Sequence, residues 1–430
     1  MFKNYNYKFH TLKNGLKIVT LEMKEANSVA IGMWIKAGSR FETQKLAGAA
    51  HFIEHILFKG SKKFSMYEVK ELIEGSGGTL NAFTSEENTC LFAKVLPDKL
   101  DIAIDVLADM IISAKFDKAE VEKERQVILE EIKMYKDLPH HVVSEKLDEL
   151  LWPNHPLGRP IIGNEKIISG MSLQELIEFK EKYYNPSNIV VSVTGNFKES
   201  NLLQLIEKTF KKEKKGSEAT YVRFGMPDEE CRIDIAEKQI EQTHITLGVR
   251  TFDRFDKDNF SLNTANIAIG GNMSSRLFNE VREKRGLAYA ISSDLKKYMD
   301  TGAFIVSAGI DNKKVLEALE VIVEELRKFK VSDISEKELE RAKEYYAGHF
   351  LMMLEETLAH MIYIGEKVVM GEKILSISEI IKKIKSIKPG DIKNVMQKVF
   401  HQQKIKLATI GPLNDKAREE IKKRFQGLKI

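Results

Sequence analysis

The sequence predicts an α+β protein of two homologous domains of about 210 residues, each a mostly antiparallel sheet covered by helices. Three observations lead there: an internal repeat at about half the chain length, strand pairs followed by long amphipathic helices, and a charged break between the copies. Residues 175–197, "ELIEFKEKYYNPSNIVVSVTGNF", and 391–413, "DIKNVMQKVFHQQKIKLATIGPL", share one pattern. Each reads as an amphipathic helix, a polar turn, a β-rich run and then Thr194–Gly195 or Thr409 and Gly411.

A second pair agrees. "TLNAFTSEENTCLFAKVL" runs into the helical "PDKLDIAIDVLADMIISAK", and "LAYAISSDLKKYMDTGAFIVSAG" runs into "IDNKKVLEALEVIVEELRK". Both read as two strands and a turn, then a helix with apolar residues three and four apart. A charged helix follows each: "KAEVEKERQVILEEIKMYKD" and "SEKELERAKEYYAGHFLMM". The break falls in "KKEKKGSEATYVRFGMPDEE", which gives domains 1–212 and 229–430 joined by a linker at 213–228. The scarcity of strict β-α-β alternation favours an antiparallel or mixed sheet with helices on one face.

Composition narrows the function classes. The chain has 430 residues, 43% hydrophobic and 30% charged, which suits a globular protein. Its 67 Lys and Arg against 63 Asp and Glu leave a net charge of +4, too small for a nucleic-acid-binding field. The longest apolar runs, such as 350–354, fall far short of a membrane span. No secretory signal is visible, and Cys90 and Cys231 are distant in sequence. A cytoplasmic protein without disulfides, nucleic acid or membrane is the expectation.

Chemistry concentrates in "HFIEHILFKG", residues 51–60. The flanks form helix, and Gly60 supplies a stop. His51 and His55 are one turn apart on one face, a spacing that lets two imidazoles close on one Zn²⁺. Glu54 reaches the same face and can serve as general base, while Ile53, Ile56 and Leu57 make the other face apolar. The plain alternative is a pair of histidines that are near one another by chance. A catalytic zinc needs a third protein ligand. The best source is residues 122–137, with Glu122, Glu124, Glu130 and Glu131, although such a run is often a solvated helix face. Glu124 and Glu131, seven apart, share a face from which Glu130 is turned away, so they make the ligand-and-support pair.

These residues resemble the inverted-motif zinc peptidases of the pitrilysin type, closest to short bacterial members akin to the catalytic subunit of mitochondrial processing peptidase. Glu131 follows His55 by 76 positions, the family's spacing. "GGTLNAFTSEENTCLFAKVL", "HPLGRPIIG", "YYNPSNIVVSVTGNF" and "GGNMSSRLFNEVREKRGLAYAISS" are also family-like, so the resemblance covers nearly the whole chain. It implies that His51, His55 and Glu131 hold one Zn²⁺ per chain, that Glu54 is the general base and that Glu124 supports the ligands. It implies that Arg282 and Tyr289 hold substrate, with Asn81, Ala82 and Phe83 on a cleft-lining strand that takes an extended peptide as an added strand. The second repeat has no H-x-x-E-H, so it reads as the non-catalytic substrate-binding half.

The implied activity is endopeptidase cleavage of extended or unfolded peptides, by a water that zinc binds and Glu54 deprotonates. The implied assembly is a homodimer in which each chain forms half of a clam-like chamber. The competing reading is a non-catalytic structural or peptide-binding subunit of the same fold. Relatives of that kind have lost metal residues, all of which are present here.

Overall fold

The computed structural model describes residues 5–225, 232–332, 334–400 and 404–427. The last part of the expected linker, 226–228, and Cys231 lie outside the described residues. The first-half strands are β1 (Lys8–Thr11), β2 (Lys17–Glu22), β3 (Val29–Ile35), β4 (Thr79–Thr84), β5 (Thr89–Val95) and β6 (Ile189–Gly195). The second-half strands are β7 (Arg232–Glu237), β8 (Gln242–Thr251), β9 (Ala288–Lys297), β10 (Gly302–Asp311) and β11 (Lys406–Gly411). Helices of the first half include α1 (Ala49–Leu57), α2 (Met66–Ile73), α3 (Leu100–Ile112), α4 (Lys118–Asp137) and α5 (Pro139–Leu151).

The first sheet runs β1-β2-β6-β3-β5-β4 and the second β7-β11-β8-β10-β9. Leaving out β1, the two orders coincide when each strand is replaced by its repeat equivalent. Both sheets contain one parallel pair, β2 with β6 and β7 with β11, and the remaining ladders are antiparallel. The two-domain α+β class read from the repeat therefore holds, with mixed rather than purely antiparallel sheets.

The expected helices on one face do not account for β3. All seven of its residues are buried, so both of its faces are covered. The helix Thr357–Val369 lies against β3 and β6, and small residues set its approach. A Cβ added to Gly365 would stand 2.0 Å from Trp34 Nε1, and one added to Gly32 would stand 2.4 Å from Met361 Sδ. Trp34 Nε1 donates to Ser192 Oγ at 2.9 Å, so the buried indole N–H is satisfied.

The second sheet is also covered twice. Phe304, Val306 and Ile310 join one large cluster with the helix Val315–Val331. The alternate β10 residues Ala303 and Ile305 pack with Val143, Leu147 and Leu151 of α5.

The compact units consequently differ from the linear halves 1–212 and 229–430. One comprises Met1–Lys133, Arg159–Val222 and Leu351–Ile377, and the other Met134–Gly158, Arg223–Phe350 and Ser378–Ile430. The helix after the charged helix of each repeat thus belongs to the unit built mainly from the other repeat. Among the described residues no helix is long and apolar enough to cross a membrane.

Candidate metal centre

The helix α1 is fixed before its chemistry begins. Phe52, Ile53, Ile56 and Leu57 are each fully buried, worth roughly 1.5–3 kcal/mol apiece. That anchoring far exceeds the few tenths of a kcal/mol by which helix propensities differ between ordinary residues. At its start Gly48 has φ +96°, and a Cβ there would meet Ile162 O at 2.6 Å, so glycine is required. The Glu42 carboxylate accepts the N–H groups of Gly48 and Ala50, both at 2.8 Å, at the positive end of the helix. The helix ends at Leu57, and Gly60 turns the chain at φ +109°.

His51, Glu54 and His55 form the partly exposed face of α1. One ligand atom from each of His51, His55 and Glu131 lies within 4.8 Å of the others. Glu131 Oε2 stands 3.9 Å from His51 Nε2 and 3.6 Å from His55 Nε2. Ligands of a tetrahedral zinc stand about 3.3 Å apart, given bonds of about 2.0–2.1 Å. The Glu131 oxygen stands only about 0.3 and 0.6 Å beyond that separation from the two rings, and three ligands leave a fourth position open.

The state of the rings fits the same use. Burial pushes the His51 imidazole down to about 3, with His55 adding to the effect. It is therefore neutral at neutral pH, as a ligand must be. His55 Nδ1 stands 3.1 Å from Glu124 Oε2, which leaves Nε2 directed at Glu131. Lys59 Nζ in turn meets Glu124 Oε1 at 2.6 Å, so the buried Glu124 has a charge partner. The family-implied supporting role of Glu124 has this contact behind it. Lys59 was not singled out from the sequence, although its position four residues after His55 was a usable signal.

Glu54 is held by a residue that sequence reading also missed. Thr84 Oγ1 donates to Glu54 Oε2 at 2.5 Å. Burial pushes the Glu54 carboxyl up; the Thr84 hydroxyl and His55 draw it down, and Glu131 raises it. The result is a carboxylate more basic than one in water, beside three candidate metal ligands.

Asn81, Ala82 and Phe83 lie in β4, the edge strand of the first sheet. Asn81 is exposed and its Oδ1 accepts the N–H of Ala82 at 2.8 Å, which places that N–H on the open side of the strand. Phe83 packs edge-on against Trp34, with ring centroids 5.6 Å apart.

Arg282 and Tyr289 belong to the second unit, where they meet each other. The Arg282 guanidinium lies 4.7 Å from the Phe278 ring centre and 5.4 Å from that of Tyr289. Tyr289 is on the edge strand β9 and 75% exposed. Arg282 lies in a π-helical stretch, Phe278–Glu283, an irregularity frequent at functional sites.

The family model described as insulinase (peptidase family M16) matches residues 17–165, and that of the M16 inactive domain matches 170–346. A Bacillus subtilis protein named as an uncharacterized zinc protease, YmxG, is 36% identical over 407 residues, covering 94% of this chain and 98% of that one. An uncharacterized zinc protease of Streptomyces coelicolor is 34% identical over 412 residues, 94% of this chain and 90% of its own. Among solved structures, a protease from Helicobacter pylori superposes with a TM-score of 0.89 at 24% identity, over 95% of this chain and all of that one. An M16 inactive-domain structure from Pseudomonas fluorescens gives 0.88 at 21% identity, over 95% and 98%. At such identities these two speak to the fold alone. With the HFIEH motif, the two family models and full-length relatives in agreement, the chain belongs to the insulinase family of peptidases, M16, as a short member.

Proposed function

We propose that this protein is a zinc endopeptidase acting on extended or unfolded peptides, with one zinc per chain held by His51, His55 and Glu131. The observation that carries the reading is the convergence of those three donors beside the partly buried Glu54. Zinc bound there supplies a Lewis acid that polarises the scissile carbonyl and lowers the pKa of a water toward about 7.

The chain's own residues supply the rest. Glu54 takes the proton of the attacking water and returns it to the leaving amine nitrogen. Glu124, with Lys59 behind it, holds the His55 ring so that Nε2 faces Glu131. The open edge of β4 offers backbone groups to an extended peptide, which binds main chain with loose side-chain preference. The relatives named zinc proteases support the metal and the reaction class.

We also propose a cytoplasmic homodimer in which Arg282 and Tyr289 serve the partner's site, on the family resemblance described above. The activity is tested by incubating the purified protein with unfolded casein. Cleavage that chelation abolishes and added zinc restores is the expected result; no cleavage by the zinc-replete protein on casein or on a random peptide library contradicts it.

A further inference from the structure

Thr84 occupies the last position of β4, opposite Thr89 of β5. Its hydroxyl-to-Glu54 contact at 2.5 Å is in the range of a charge-assisted O–H···O⁻ bond. Among the described residues no other group donates to that carboxylate. A glutamate side chain has three rotatable bonds, and the Thr84 hydroxyl is the hydrogen bond that fixes one of its oxygens, while His55 acts on the carboxyl through charge.

The donor itself is held firmly. The Ser85 N–H donates to Asn88 O at 2.8 Å, and Ser85 Oγ accepts from Asn88 N at 3.1 Å, which closes the hairpin directly after Thr84. That hairpin is tied to the chain before α1 by Ser39 N–H to Ser85 O at 3.2 Å and Arg40 N–H to Glu86 O at 2.8 Å. The ion pair of Arg40 with Glu87, 2.6 Å long, has side chains only 0% and 2% exposed. A Cβ at Gly38 would stand 2.1 Å from Ser85 O, so the two segments touch at the backbone. Threonine is also β-branched, with few χ1 wells to sample.

We infer that Thr84 is a positioning residue for the general base, pinning Glu54 Oε2 so that Oε1 is left to receive the proton of the attacking water. The inference rests on reading Glu54 as that base. In the step an O–H bond of water breaks and its proton goes to Oε1, while the water oxygen forms a bond to the scissile carbonyl carbon as the C=O π bond breaks and its pair moves onto the carbonyl oxygen. The Thr84 hydroxyl keeps its own proton throughout. A base free to rotate away would less often be placed to take the water's proton, without binding peptide less well, so the effect belongs in kcat rather than KM.

The test is steady-state cleavage of an internally quenched casein-derived peptide by zinc-loaded full-length protein. Thr84→Val keeps the shape and removes the hydroxyl. It should lower kcat about 10- to 100-fold, the scale of a misplacement near 1 Å, with KM within about twofold of wild type. Zinc content and Tm should match wild type. Thr84→Ser keeps the donor and should hold kcat within about threefold of wild type. If Thr84→Val does not fold, Thr84→Ala removes the same hydroxyl and is read in its place.

Wild-type kcat in the hydroxyl-free variant overturns the assignment. So does a loss that serine does not restore, or one matched by lost zinc or a lower Tm. Glu54→Gln is measured alongside. If that variant stays active, the reading of Glu54 fails. If it is inactive while Thr84→Val is normal, only the role of Thr84 fails.

Discussion

Glu124 Oε2 stands 3.1 Å from His55 Nδ1, on the side of the ring away from Glu131. This fixes which imidazole nitrogen is free, and so ties the Glu124 carboxylate to metal affinity. Outer partners of this kind are worth about 10- to 100-fold in affinity. We expect Glu124→Gln to weaken zinc binding by that factor in competition with a chromophoric chelator, with the fold kept. An unchanged affinity would leave Glu124 as a partner of Lys59 alone.

His51 links the site to acid stability. Its imidazole is pushed down to about 3 in the folded chain, against about 6.5 unfolded. Below about 6.5 the unfolded chain binds a proton that the folded one refuses. The folded state is therefore penalised increasingly as pH falls from about 6.5 toward 3, by about 1.4 kcal/mol per pH unit at most. His360, fully buried and pushed down to about 4 by burial against its bond to Leu354 O, acts in the same sense. Glu42, pushed up to about 8 by burial, acts in the opposite sense.

The readout is accordingly the difference between zinc-free wild type and zinc-free His51→Gln. Wild-type Tm should fall relative to the variant between pH 6.5 and pH 5 and hold a constant offset above pH 7. Parallel curves would place the His51 imidazole in a solvated setting.

The shared-site proposal predicts complementation. Glu54→Gln and the double variant Arg282→Ala with Tyr289→Phe should each be inactive as homodimers. After subunit exchange, half of randomly paired dimers are mixed and each holds one repaired site of two. Activity should then return to about a quarter of wild type. No recovery, once exchange is shown by mass-tagged subunits, would mean that Arg282 and Tyr289 act within their own chain.

What the sequence made legible was local in origin. His51, Glu54 and His55 are related by helical periodicity alone, and Glu124 and Glu131 by two turns of another helix, so their faces follow from spacing. Thr84 and Glu42 could not be found this way, because their contacts with α1 depend on where a hairpin end and a loop come to rest. The strand order repeated itself as the duplicated sequence implied. The helix assignment did not: Val143, Leu147 and Leu151 form a stripe that must be buried, yet periodicity does not say against which sheet. Likewise the β3 sequence "VAIGMWI" is apolar throughout, a pattern that marks a strand covered on both faces. The glycines Gly32 and Gly365 acquire their meaning only once strand and helix touch.

The most direct test joins metal content to turnover in Glu54→Gln, since glutamine has nearly the same shape but cannot accept the water's proton. Zinc per chain by elemental analysis and cleavage of unfolded casein are measured on the same preparation, beside His51→Ala. We expect about one zinc in Glu54→Gln with activity down at least about 100-fold, and markedly less zinc in His51→Ala. Substantial turnover by zinc-replete Glu54→Gln, or full zinc in His51→Ala, would contradict the site proposed for this protein.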